Sequence, residues 1–222
     1  MRQSGFRIPE STAKSRKDNM SKNKIVIGLT GIIASGKSEA AGAFRGKGIS
    51  VIDVDKFAHG LYAKGRPLYR KLIKKYGKGI LGAGGRICRP ALADLAFKDE
   101  KHYLYFNRIV FPYLNSALHS KIQNLRSKIA VLDMAVLFES GFYRHVDVII
   151  FVKVPGGIWK KRVNAGKNSG WAKKTLKYQK IFAINKKIAL SDYILYNDKD
   201  KADLRRRAAV LIKIIKDIYG RK

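Results

Sequence analysis

The sequence predicts an α/β fold built on a parallel sheet of about five strands with helices packed against it, and three observations predict it. First, five short runs are apolar and rich in β-branched residues: 25–30 (IVIGLT), 49–54 (ISVIDV), 129–134 (IAVLDM), 146–152 (VDVIIFV) and 193–196 (YILY). Runs this short and this continuous suit strands covered on both faces. Second, the stretches between them repeat apolar residues at helical spacing, and strands that alternate with helices form a parallel sheet. Third, Gly31-Ile32-Ile33-Ala34-Ser35-Gly36-Lys37-Ser38 fits the pattern G-x-x-x-x-G-K-[ST] between the first run and a good helix start at 39–44.

A strand, a glycine-containing turn and a helix in that order make an anion site. Successive N–H groups of the turn, through Gly31, Ile33, Ala34, Ser35 and Gly36, converge on one point, and the helix start adds unpaired donors and its positive dipole end. Lys37 then reaches the β/γ-phosphates of ATP, and the Ser38 hydroxyl ligates Mg²⁺. A glycine-rich turn with a solvated lysine fits the same pattern by chance; the flanking strand and helix argue for the nucleotide.

Composition sets the outer bounds. With 222 residues and 46% hydrophobic content the chain can bury a real core, as one α/β domain or one with an inserted subdomain. Its single cysteine, Cys88, makes no internal disulfide and argues for a reducing compartment, the cytoplasm, and against a thiolate metal site. No run is long and apolar enough to span a membrane. The net charge of +31 draws anions of every kind, so it does not choose between a kinase and a nucleic-acid binder. No aromatic-interleaved RNA motif or zinc spacing accompanies it.

Taken in order, the chain opens with a polar extension, residues 1–23, rich in Ser, Lys and Arg and expected to be disordered; Met20, five residues before the first strand, is an alternative start. The second strand ends at Asp53-Val54-Asp55. Carboxylates at the carboxyl end of a parallel strand lie on the edge where open sheets bind ligands. Asp55 is the stronger candidate for catalysis and Asp53 the weaker, while capping a helix over 56–62 would also suit an aspartate. Leu68, Leu72, Ile73 and Tyr76 mark a helix that Gly77 ends, Pro90 opens another with Leu92, Leu95 and Ala96 inward, and a long helix is expected after Pro112, marked by Leu114, Leu118, Ile122 and Leu125.

The third strand releases Asp133 at its end, as a Walker B carboxylate emerges, placed either to hold Mg²⁺ or to satisfy the loop backbone. Residues 148–191 contain no acidic side chain against eleven basic ones. A segment so unmixed repels itself unless a polyanion is near, which suits a lid closing over a triphosphate. Leu204, Ala208, Leu211, Ile215 and Ile218 give a C-terminal amphipathic helix. His102, His119 and His145 have no ligand spacing.

GLTGIIASGKSEAAGAF followed by ISVIDVDKFAHGL, with Asp55 eighteen positions after Lys37, resembles dephospho-CoA kinase. The likeness continues through Gly65-Arg66-Pro67-Leu68-Tyr69, Tyr76-Gly77 with Ile80-Leu81, Cys88-Arg89-Pro90-Ala91-Leu92, Asn107-Arg108-Ile109 with Pro112, and residues 131–139 (VLDMAVLFE). It implies a P-loop kinase with a five-stranded parallel sheet, an inserted helical acceptor domain and a basic lid. The core is then 24–57, 128–152 and 190–222, the acceptor domain 58–127 and the lid 153–189. The implied reaction moves the γ-phosphoryl of MgATP to the ribose 3′-hydroxyl of dephospho-CoA, with Asp55 as base and Arg162, the first lid arginine, at the transferring group. Arg89, Asn107, Phe138 and Glu139 are implied near the acceptor, and Asn197 near the adenine. Another nucleoside- or nucleotide-type kinase would share the loop and differ in the acceptor region.

The chain also departs from the pattern. Ile32 and Ala34 stand where the family has glycine, a change the loop tolerates if neither site needs a positive φ. His59 stands where the family has arginine, and Gly166 and Thr175 fall near expected lid arginines. Lys167, Lys173 and Lys174 restore charge there but not bidentate geometry.

Overall fold

The computed structural model describes residues 6–7, 24–165 and 184–219. The chain divides into two compact units, Met1–Asp53 with Leu125–Lys222, and Val54–Asn124.

The first unit is built on one sheet. Strands β2 (Ile25–Gly31), β3 (Ile49–Asp53), β4 (Ile129–Asp133), β5 (Val148–Lys153) and β6 (Tyr193–Tyr196) run parallel in the order β6-β5-β2-β4-β3. A further strand, β1 (Phe6–Arg7), pairs antiparallel with β6. The reading of the whole extension as disordered is therefore corrected at Phe6–Arg7. An edge strand presents a row of unpaired N–H and C=O groups, and even two residues of polar extension can satisfy part of that row. The rest of the extension, Met20 included, lies outside the described residues.

The most apolar runs take the middle of the sheet. Every residue of β2 and β4 is buried, and β5 is buried up to Lys153. Helices α1 (Lys37–Ala43) and α8 (Lys201–Tyr219) supply one cover, with Ala40, Ala41 and Phe44 meeting Leu204, Ala208, Leu211 and Ile215 over Ile27, Leu29, Val131 and Ile150. Side chains as enclosed as Phe44 each contribute roughly 2–3 kcal/mol by leaving water. From the central strand β2 the chain moves first to β3 on one side and later to β5 on the other, so the switch point lies at β2. Open α/β sheets bind ligands outside the carboxyl ends of such strands. Those ends are Gly31, Asp53, Asp133, Lys153 and Tyr196, with Asp53 in register with Asp133 and Lys153 with Tyr196.

The amino end of the same sheet repeats one device. The Asp147 carboxylate accepts the Val26 N–H at 2.7 Å while its own N–H donates to the Val26 carbonyl at 2.8 Å. Asp192 does the same to Ile149, at 2.7 and 2.9 Å. Each aspartate thus docks the start of its strand onto the neighbouring one.

The second unit is helical. It contains α2 (Val54–Leu61), α3 (Pro67–Tyr76), α4 (Arg89–Ala96) and α5 (Glu100–Gln123) around Leu68, Leu72, Ile80, Leu92, Ile109 and Val110. The long helix, expected after Pro112, starts at Glu100, so that Pro112 lies inside it. Asp99 caps the true start by accepting the His102 N–H at 2.9 Å. A proline inside a helix forfeits one backbone hydrogen bond. Tyr103, Val110, Leu114 and Leu118 nevertheless bury one continuous face on both sides of it, and tertiary burial outweighs local propensity.

Two further helices, α6 (Gly156–Ala165) and α7 (Ile184–Ala189), belong to the first unit. Between them residues 166–183 are outside the described residues, and with them Gly166, Lys167, Lys173, Lys174 and Thr175 of the expected lid.

Candidate active site

The segment Gly31-Ile32-Ile33-Ala34-Ser35-Gly36 leaves the carboxyl end of β2 and opens α1. A turn that aims its N–H groups at one point must aim its carbonyls away, and those carbonyls find separate partners. Ile32 O accepts the Ser35 N–H at 3.0 Å, and Gly36 O accepts the Ala40 N–H at 3.1 Å. Ile33 O accepts the Trp159 indole N–H at 2.9 Å, and Ser35 O accepts the Asn197 amide at 2.7 Å. The loop is thus held from behind by α6 and by the end of β6.

Two of its glycines are required by geometry. A Cβ on Gly31 would stand 2.7 Å from both Ser35 Oγ and the Val152 carbonyl. Gly36 has φ 91°, and a Cβ there would run into the Asn197 amide. Ala34 does what tolerance of its Cβ was expected to exclude: it adopts φ 61°, the left-handed region, at a cost of about 1–2 kcal/mol for a residue with a Cβ.

Ser35 Oγ is buried in the loop with no hydrogen-bond partner. Buried polar atoms are almost always satisfied, and an orphaned hydroxyl in a phosphate-type turn fits a ligand that brings its own oxygens. Lys37, the first residue of α1, directs Nζ to Asp133 Oδ1, with side chains only 12% and 5% exposed. Ser38 follows in the exposed first turn. Ser38, Asp133 and, in register beside it, Asp53 offer hard oxygen donors of the kind Mg²⁺ takes. Among the described residues no group of three or more His, Cys, Asp or Glu side chains forms a cage.

Arg162, on α6, donates to Asn197 Oδ1 at 3.3 Å. Asn197 is 3% exposed, and its amide therefore serves the loop on one side and Arg162 on the other. Arg207 secures that corner from α8: it pairs with Asp198 at 2.9 Å and Asp203 at 2.6 Å, and donates to the Tyr196 carbonyl.

The remaining expected residues are placed as follows. Phe138 is 1% exposed, with its ring 5.3 Å from that of Tyr143. Glu139 pairs with Lys187 of α7, both side chains nearly inaccessible, and its second oxygen, Oε2, is buried without a partner. Asp55, His59, Arg89 and Asn107 belong to the helical unit, the first two on α2, Arg89 at the start of α4 and Asn107 buried on α5. Within that unit Asp55 and Arg89 both bear on Tyr62. Burial pushes the Tyr62 hydroxyl up to about 12, Arg89 opposing and Asp55 adding to the rise. The His59 ring lies tilted by 42° to that of the same tyrosine, 6.4 Å between centroids.

Sequence reasoning missed Trp159, Lys187, Arg207 and Tyr62. Arg207 left a signal in its i,i+4 spacing from Asp203, and Trp159 in its place one turn before Arg162. Lys187 left none, because in a run of lysines nothing marks the one that is buried.

Comparison with known proteins gives one family. The family profile described as dephospho-CoA kinase matches residues 25–203. A dephospho-CoA kinase from Aquifex aeolicus is 35% identical over 173 residues, 77% of this chain and 87% of that protein. Among solved structures, TT1252 from Thermus thermophilus superposes with a TM-score of 0.68 at 27% identity, covering 90% of this chain and all of that one. A dephospho-CoA kinase from Campylobacter jejuni, at 23% identity and a TM-score of 0.63 over 86% of this chain and 97% of its own, shares the fold.

Proposed function

The chain belongs to the dephospho-CoA kinase family, and from that premise we propose how its residues carry out the family reaction. The reaction is transfer of the γ-phosphoryl group of ATP to the ribose 3′-hydroxyl of dephospho-CoA, the last step of coenzyme A biosynthesis. The observation that carries the assignment of roles is the Lys37–Asp133 pair beside the loop that holds the orphaned Ser35 hydroxyl.

The loop amides of Gly31, Ile33, Ala34, Ser35 and Gly36 cradle the phosphates, and Lys37 turns from Asp133 toward the β/γ oxygens. Ser38 and Asp133 would hold Mg²⁺, which when bound would neutralise charge on the transferring group. Asp55 orients the 3′-hydroxyl and accepts its proton, a task worth roughly 10²–10⁴-fold. Arg162 meets the negative charge of the phosphoryl group as it moves. His59, Arg89 and Asn107 of the helical unit and, separately, Phe138 and Glu139 of the sheet unit are our candidates for acceptor contacts. Tyr62, protonated at neutral pH and under the influence of Arg89 and Asp55, is a further donor in the helical unit. Asn197, which holds the Ser35 carbonyl of the cradle, is our candidate for the residue near the adenine. Phosphoryl transfer asks mainly for positioning and charge stabilisation, and this set supplies both.

No helix among the described residues is long and apolar enough to cross a membrane. Separately, the single cysteine, Cys88, suits a reducing compartment, and on that ground we propose a cytoplasmic enzyme with a small-molecule acceptor as its partner. The test is ADP release from MgATP with and without dephospho-CoA, the product weighed for one added phosphate. Stimulation with that product supports the reading, and folded protein that binds ATP without stimulation overturns it. In the same assay Asp55→Asn is expected to lose at least about a hundredfold in kcat with its fold intact; normal turnover removes Asp55 from the mechanism.

A further inference from the structure

The phosphate loop carries one conformational liability. Ala34 is the residue other than glycine that adopts a positive φ among the described residues, at 61°. For a side chain with a Cβ, that conformation is disfavoured by about five- to thirtyfold against the right-handed one. If Ala34 relaxes, the N–H groups around it no longer share a target, and the loop loses the geometry on which phosphate binding rests.

The dihedral φ of Ala34 is set by the peptide that joins it to Ile33. That peptide has two polar ends, the Ile33 carbonyl and the Ala34 N–H, so a flip that relieves Ala34 must swing the carbonyl. The carbonyl is held. Trp159, which lies on α6 and is separated from Ile33 by 126 positions, donates its indole N–H to Ile33 O at 2.9 Å. One turn further along α6, Arg162 bonds Asn197, whose amide holds the Ser35 carbonyl at 2.7 Å. The carbonyls on either side of Ala34 are therefore fixed by one face of one helix, directly through Trp159 and indirectly through Arg162.

We propose that Trp159 is a positioning residue for nucleotide binding: its indole N–H locks the Ile33–Ala34 peptide and keeps Ala34 left-handed, a state that a glycine at position 34 adopts unaided. The inference rests on the reading of this loop as the phosphate cradle. It assigns the indole nitrogen, rather than the bulk of the ring, as the working group. It also makes the need for that nitrogen conditional on the Cβ of residue 34.

The experiment compares Trp159→Phe in the natural chain and in an Ala34→Gly background, measuring ATP affinity by titration calorimetry and KM and kcat for both substrates. Phenylalanine keeps one aromatic ring while removing the donor and the second ring of the indole, and thermal melts identify any variant that fails to fold. Trp159→Phe is expected to weaken ATP binding by about tenfold, with kcat at saturating ATP and KM for dephospho-CoA changed less than about twofold. In the Ala34→Gly background the same substitution is expected to weaken ATP binding by less than about twofold.

Equal losses in the two backgrounds would overturn the proposal, since what the substitution removes would then act independently of Ala34. Unchanged ATP affinity in Trp159→Phe would overturn it as well. The cradle reading fails separately: ATP affinity unaltered by Lys37→Ala would show that nucleotide does not bind on this loop. Should Trp159→Phe unfold, Trp159→His, which retains a ring N–H, provides the second arm. Folded protein with near-natural ATP affinity supports the donor role, and folded protein with the full loss rejects it.

Discussion

The two ends of one sheet each carry two aspartates, and they are held by different kinds of partner. At the amino end, Asp147 and Asp192 each exchange two hydrogen bonds with a single residue of the neighbouring strand, Val26 and Ile149. At the carboxyl end, Asp133 and Asp53 stand in register, and Asp133 accepts from the ammonium of Lys37. A backbone amide is fixed by the sheet itself. A lysine stem is flexible and its charge is a compact point, so the pair it makes can be exchanged for another anion. The same side chain is scaffold where its partner cannot leave, and is free to serve the proposed reaction where it can.

The sharpest test replaces the carboxylate at each end and asks which property falls. Asp133→Asn keeps the shape of the side chain and removes the charge facing Lys37. Turnover is expected to drop by at least about a hundredfold, with thermal stability changed by no more than a few degrees. A variant that melts many degrees lower yet keeps its specific activity below the melt would break the contrast, because Asp133 would then belong with the amino-end pair.

The opposite outcome is expected for Asp192→Ala. It leaves the N–H of Ile149, a residue with no exposed surface, without its acceptor, at a cost of about 1–3 kcal/mol. For a chain of this size each kcal/mol moves the melting temperature by roughly 2–4 °C. Below the melt, kcat and both KM values should stay within about twofold of the natural enzyme. A kinetic defect in the folded variant would show that the amino end reaches the chemistry.

The carboxyl end was largely legible in the sequence and the amino end was not. Asp133 stands out as the polar end of an apolar run, and Lys37 and Ser38 come in a fixed pattern, because phosphate chemistry constrains which residues stand side by side. Asp147 and Asp192 sit among the strand runs with nothing to mark their partners, which are 121 and 43 positions away. The strands themselves were readable from continuous apolarity. The conformation of Ala34, the reach of Trp159 and the second strand-edge role of Phe6–Arg7 were not, since each depends on a contact distant in sequence. Pro112 misled for a related reason: a proline is a local signal, and the face running from Tyr103 to Leu118 through α5 is a tertiary one.

The smallest expected effect tests the amino end through pH. Burial holds the Asp147 carboxyl above the usual carboxylate range, with the Val26 N–H acting against the shift. The native state therefore binds this proton more tightly than the unfolded chain, so the stability that Asp147 contributes falls as pH rises from the ordinary carboxylate range through the raised value, and is level beyond it. Asp147→Asn keeps an oxygen for the Val26 N–H and has no charge to desolvate. At pH 7 it should melt at an equal or slightly higher temperature, by the equivalent of roughly 1 kcal/mol or less, and the difference should vanish on acidification, where both residues are neutral. A loss of stability at pH 7 that disappears in acid would mean that the charge itself is needed there. Asp147 would then resemble Asp133, whose charge is the property that its substitution by asparagine removes.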